Sequence, residues 1–211
     1  PEHPARCALK PLCRATVPVS WRATDMRELI WSIPARILAV PCIARYIIER
    51  AERTPYKHIH GLTGERYMGR FWLVQRGTRA ARWLEKLTGF TCIRVHNIRR
   101  QDHDRDLHSH PFAYRTIVLR GAYCEEYAWR ETPDNRRSRL LTAGQTHATS
   151  AGAIHRISRV YSDGRPYTYV WTLFFMGEKQ PEWGFYTDNG YVDSDTYLAR
   201  AGYVDKGKHN G

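Results

Sequence analysis

The chain has 211 residues, a net charge of +12 and 42% hydrophobic residues, which excludes wholesale disorder and fits one ordinary domain with extra elements. Residues 1–100 hold 19 Lys+Arg against 7 Asp+Glu, whereas residues 101–211 hold 14 of each, so the excess positive charge lies in the N-terminal half. The five cysteines (Cys7, Cys13, Cys42, Cys92, Cys124) are odd in number and form no C-x-x-C, which argues against a disulfide framework or a zinc ribbon and suits a reducing, cytoplasmic setting.

Residues 1–23 read as an extended arm, because Pro1, Pro4, Pro11 and Pro18 prevent a helix. The arm has no apolar run and no cleavage site, so no signal peptide is expected. Thr24 or Asp25 can cap a helical region that runs to about Arg53, before Pro55. Within it, Leu29–Ile48 is long enough to span a bilayer, but Arg36, Arg45, Pro34 and Pro41 interrupt it. An arginine at mid-membrane costs about 2.5–3.5 kcal/mol on the insertion scale. The segment therefore reads as a kinked amphipathic helix or helix pair, packed on the rest of the fold or on another subunit. Membrane-surface binding is the alternative. Residues 54–75 are mixed in pattern, and a second helix is expected over Arg79–Leu87, capped by Thr78 and stopped by Gly89.

After Gly89 the hydrophobic period shortens. Cys92–Ile98 reads as a strand, and further strands are expected at 107–120, 121–130, 139–142, 153–161, 167–176 and 183–187. Turn signals separate them at Arg120-Gly121, Pro133-Asp134-Asn135, Ala143-Gly144, Asp163-Gly164 and Met176-Gly177. Many short strands at this spacing, with seven Trp and thirteen Tyr, indicate a small barrel or sandwich. The expected organisation is a basic arm and helical extension over 1–89, a β-barrel over 90–205 and a tail over 206–211.

One constellation carries chemistry. In a strand, residues two apart face the same way, so His108-Ser109-His110 aims two imidazoles at one point. Gly121 follows His110 after ten intervening residues, with Tyr114 between. Further on, Gly144, Gly152 and His155 recur at fixed spacing. The arrangement resembles the cupin superfamily, whose first signature is G-x5-H-x-H-x(3,4)-E-x6-G and whose second is G-x5-P-x-G-x2-H-x3-N. His108, His110 and Gly121 match the first; Asp102 and Tyr114 replace its first glycine and its glutamate. Gly144, Gly152 and His155 match the second; Ser150 and Arg159 replace its proline and asparagine.

The resemblance covers about half of the chain. It implies a mainly β, double-stranded β-helix barrel with an N-terminal α-helical extension, holding one divalent metal through His108, His110 and His155. Neutral imidazole suits iron, zinc, nickel, copper and manganese alike, and three ligands leave open positions. Fe(II) is the expected metal, with zinc, nickel or manganese as alternatives. Tyr114 stands either as a phenol beside the metal or as barrel filling. Glu125 or Glu126 could reach the metal or orient a ligand histidine, or face solvent.

The polar run Asp102-His103-Asp104-Arg105-Asp106 is either a mouth loop or a solvated turn. His147 is a weaker ligand candidate and His96 reads as structural. If the substrate is anionic, an inward arginine would clamp it; by parity Arg159 shares the face of His155, while Arg115 does not share that of His110. Tyr167, Tyr169, Trp171 and Phe175 lie on one face, as barrel core or as a stacking wall.

No P-loop, G-x-G-x-x-G, G-x-S-x-G, zinc-finger spacing or nucleic-acid motif is present. The expectation is a metal-dependent enzyme, foremost an iron dioxygenase or other oxidoreductase acting on a small or anionic molecule, with isomerase or lyase chemistry next. The alternative is a non-catalytic, metal-stabilised binding or assembly protein. Its basic half would contact nucleic acid or an acidic partner, or its helices would join copies into a homo-oligomer.

Overall fold

A computed structural model describes residues 24–61, 64–102, 106–162, 165–166, 169–180 and 182–200. The expected arm over 1–23, the centre of the 102–106 loop, Tyr167 and the tail beyond residue 200 lie outside the described residues.

The helical region is a pair, α1 (Thr24–Leu38) and α2 (Pro41–Glu52), bent by 83° at the break. Pro41 sits at the start of α2, where a missing N–H leaves no bond unmade. Among the described residues no single helix is long and apolar enough to cross a membrane. Helix α3 (Arg79–Thr88) begins and ends as its sequence dictates. Thr78 Oγ1 accepts from Ala81 N at 3.2 Å, and Gly89 takes φ 78° and closes on Glu85 O.

Among the described residues, thirteen strands follow the chain: β1 (Ile59–His60), β2 (Arg66–Val74), β3 (Cys92–Ile98), β4 (Leu107–His108), β5 (Tyr114–Arg120), β6 (Ala122–Trp129), β7 (Thr132–Thr142), β8 (Thr146–Thr149), β9 (Ala153–Ser162), β10 (Arg165–Pro166), β11 (Val170–Met176), β12 (Gly184–Thr187) and β13 (Gly190–Asp193). A short helix, α4 (Ser194–Arg200), ends the described part. They form two antiparallel sheets. The first, of six strands, runs β1-β2-β3-β11-β5-β8, and the second, of seven, runs β13-β12-β4-β9-β6-β7 with β10 beside β9.

The order defines the architecture. Among the eight strands β3 to β9 and β11, the first pairs with the eighth, the eighth with the third and the third with the sixth. In the facing sheet the second pairs with the seventh, the seventh with the fourth and the fourth with the fifth. That alternation is the double-stranded β-helix, the cupin-type barrel, with a helical region at its N-terminal side.

The residues left as mixed in pattern form an edge hairpin instead. Strand β2 pairs with β3 and extends the first sheet by two strands. The strand expected over 107–120 is split, because Pro111 cannot donate to a ladder and the chain turns between His108 and Tyr114.

Two apolar layers flank the first sheet. Ile98, Val118 and Val170 meet Tyr123, Leu141, Ile157 and Val160 of the second sheet and fill one end of the barrel. On the sheet's other face, Val95, Ile117, Leu173 and Phe175 pack under Ala35 of α1 and Ala44, Ile47 and Ala51 of α2. Trp171 also lies on this helix-covered face. The aromatic face expected as barrel core or stacking wall therefore turns outward, and the interior of β11 is built from Val170, Thr172, Phe174 and Met176. Arg115 points outward too. It pairs with Glu28 through two bonds of 2.9 and 2.6 Å, tying α1 to β5.

Candidate metal centre

The three histidines come from two neighbouring strands and a turn. Strand β4 pairs with β9 through His108 and His155 themselves. Directly opposed residues of an antiparallel pair share a face, so both rings point into the barrel. Beyond His108 the chain stays tethered, because Ser109 N donates to Gly184 O at 2.9 Å and Ser109 Oγ accepts from Gly184 N at 3.1 Å. This carries His110 back over the same point. One nitrogen from each of His108, His110 and His155 lies within 4.8 Å of the others.

Protons can be assigned from the partners. The Nδ1 of His155 meets the Glu125 carboxylate. An ionised carboxylate only accepts, so His155 carries its proton on Nδ1 and directs the Nε2 lone pair inward. That Nε2 lies 2.8 Å from His110 Nε2 and 3.1 Å from the Tyr114 hydroxyl. Two imidazole nitrogens this close need a proton or a cation between them, and a third imidazole converging on the same point fits a cation.

Electrostatics agree. Burial, then the His155 ring, pushes His108 down to about 3, and burial holds His110 well below its usual range. Both are uncharged at neutral pH, the state in which imidazole binds metal. Burial works against the Glu125 carboxylate, but His155 and Arg139 outweigh it and hold its pKa down to about 2. Burial keeps the Tyr114 phenol protonated, well above its usual value.

Behind Glu125 the polar chain continues. Arg139 donates to Glu125 Oε2 at 2.5 Å and to His147 Nδ1 at 2.8 Å, and packs over the Tyr127 ring. Arginine only donates, so His147 accepts at Nδ1, and its Nε2 proton goes to Thr149 Oγ1, 2.8 Å away. A pocket of about 70 Å³ opens on this side, lined by Tyr127, Trp129, Arg139, His147 and His155 among others.

Each expected residue has a place. Glu125 orients His155, whereas Glu126 points out of the barrel and pairs with Arg156. Tyr114 reaches into the site. His147 stands apart from the three-histidine cluster, and Asp102 accepts from Ile157 N. Arg159 needs correction. A bulge in the β6–β9 ladder at Cys124/Glu125 resets the alternation, so Ile157 and Val160 face inward while Arg159 is exposed, donating to Tyr161 Oη.

Arg139 was missed. It sits in the run Arg136-Arg137-Ser138-Arg139, where sequence offers nothing to mark it out, and only the pairing of Glu125 with Arg139 across β6 and β7 reveals it.

Fold and site together define a cupin-type barrel with a partly buried cluster of three convergent histidines. No protein-family model matches the sequence, and no curated protein is similar enough to count as a match. Among solved structures, the chain is similar to hydroxypropylphosphonic acid epoxidase from S. wedmorenis at 13% identity. That match covers 52% of this chain and 50% of that one, with a TM-score of 0.37. An oxalate decarboxylase structure is matched at 13% identity over 75% of this chain and 36% of that one, with a TM-score of 0.42. A DMSP lyase is matched at 18% identity over 53% and 48%, with a TM-score of 0.33. The chain thus spans about half the length of the epoxidase and the lyase.

Proposed function

We propose that this protein is a metal-dependent enzyme of the cupin type, with His108, His110 and His155 holding one divalent ion. Within that class we favour an Fe(II)-dependent oxygenase acting on a small anionic molecule. The observation that carries the reading is the convergence of three imidazoles on one point, with His155 fixed by a buried carboxylate. Such an ion supplies Lewis acidity and, if it is iron, redox chemistry toward dioxygen.

The chain's own groups do the rest. Glu125 keeps the His155 proton on Nδ1 and its lone pair inward. Tyr114, protonated, serves as a hydrogen-bond donor at the site and not as a base. Phe174, stacked on Tyr114 at 4.6 Å, and Phe112 narrow the approach of water.

The test is elemental analysis of the full chain purified without chelator, beside His108→Ala and His155→Ala. About one equivalent of iron, lost in both variants, is the expected result. Zinc, nickel or manganese in its place keeps the site but moves the chemistry toward isomerase or lyase. Protein that takes up none of these metals anaerobically overturns the metal reading.

A further inference from the structure

A second polar group lies on the inner face of the first sheet, whereas the histidine cluster is carried by β4 and β9 of the second. In the β2–β3–β11 ladders, Arg94 stands opposite Trp72 on one side and Phe174 on the other, and His96 stands opposite Arg70 and Thr172. Opposed residues share a face, so Arg70, Arg94 and His96 project from the face that carries Phe174. The Phe174 ring connects the two groups. It stacks on His96 at 4.6 Å, on Tyr114 at 4.6 Å, and lies 6.2 Å from the His110 ring.

Among the described residues no carboxylate neutralises this group. Arg70 Nε donates to Lys57 O, and its guanidinium lies 5.1 Å from the Tyr56 ring. The Arg94 guanidinium rests on Tyr56 and Trp72, 4.2 and 4.4 Å from their centroids. Those ring centres are 4.8 Å apart, and the Tyr56 side chain also hydrogen-bonds the Arg94 guanidinium. Two buried atoms have no hydrogen-bond partner: Arg94 Nε, and Nε2 of His96, a residue only 7% exposed. Burial, then the neighbouring Arg94 charge, brings Arg70 down to about 10. Two like charges and two orphaned polar atoms on one wall are costly unless an opposite charge completes them. A guanidinium pinned by aromatic rings is well suited to a carboxylate or phosphate, which its N–H edge matches in geometry.

We propose that Arg94, Arg70 and His96 form an oxyanion subsite that anchors the carboxylate or phosphate of a small substrate, whose other end reaches the histidine cluster past Phe174. The inference rests on the enzyme reading above for what lies at that other end. The anion anchor itself does not need the metal.

Calorimetric titration of the full chain with inorganic phosphate and with acetate tests it, on metal-loaded and on chelator-treated protein. At least one probe should bind. Arg94→Gln and Arg70→Gln should each weaken that binding tenfold or more, which is about 1.4 kcal/mol. Arg45→Gln, which removes the same charge from the outer side of α2, should change it less than twofold, and His155→Ala should retain it. Arg94→Lys should recover part of the loss. If Arg94→Gln does not fold, Arg70→Gln decides. Absence of binding by both probes, or wild-type binding in folded Arg70→Gln, overturns the subsite. Anion binding that depends on the arginines in protein that takes up no metal would sink the enzyme reading alone. Metal uptake without anion binding would sink the subsite alone.

Discussion

Glu125 shows how one side chain sets the chemistry of another. It is 2% exposed, and its two oxygens serve different partners, His155 Nδ1 on one side and the Arg139 guanidinium on the other. A buried carboxylate with both charges and protons matched keeps its charge. That charge fixes the His155 tautomer. Glu125→Gln preserves shape and removes the charge. Metal affinity should fall about 10–100-fold, the usual cost of losing a partner behind a ligand histidine. Competition with a chromophoric chelator would measure it, and unchanged affinity would mean that His155 needs no orienter. The histidines themselves were readable in the sequence, because H-x-H and a third histidine at motif spacing are local patterns. The roles of Arg139, Arg94 and Arg70 were not. An arginine among thirty-three Lys+Arg looks solvated until the strand register shows what stands opposite it.

Elements succeed or fail by their turns. Gly121 joins β5 to β6 with φ 77°, and an added Cβ would come within 2.8 Å of Tyr161 O and 3.0 Å of Val170 Cγ2. The backbone neighbour cannot give way, so the motif glycine is there for space as well as for conformation. Gly121→Ala should destabilise the barrel by about 1–3 kcal/mol. A urea midpoint would show it, and the neighbouring Ala122→Gly serves as the comparison without positive φ. Strand positions beside Gly121 and Gly144 are legible because those turn residues are strong signals, but Pro133-Asp134-Asn135, expected as a turn, lies inside β7, and the chain turns at Arg130-Glu131 instead. Strand positions without such signals are not legible. Strand β8 spans four residues with no bounding apolar alternation, and the β1–β2 hairpin hides in a stretch rich in glycine and arginine. Helix α4 was missed although Asp193 marks its start by accepting from Thr196 N at 3.0 Å. Parity arguments failed at Arg159 for a single physical reason. One bulge moves every later side chain to the other face, and bulges leave no reliable mark in sequence.

The molecule as a whole divides into an apolar end, closed by the two sheets, and a polar end crowded with neutral histidines. That division predicts acid sensitivity. Burial, assisted by nearby arginines, holds His147 at about 3 and His96 well below its usual value. In the unfolded chain both return to about 6.5. Below that value the unfolded chain binds more protons than the folded one, so stability falls as pH drops through 6.5, and the His147 share levels off near 3. Glu125 adds to the same trend lower down, because its stabilisation is present above about 4.5 and is lost as pH falls toward about 2. His96 and His147 lie outside the three-histidine cluster, so their share persists when metal is removed. Chelated protein should therefore lose stability steadily between pH 7 and pH 4 in urea titrations. In His147→Gln the loss should be smaller, since glutamine can still accept from Arg139 and donate to Thr149 but takes up no proton on unfolding. Parallel pH profiles for the two proteins would show that His147 titrates alike in both states and would remove it from this account.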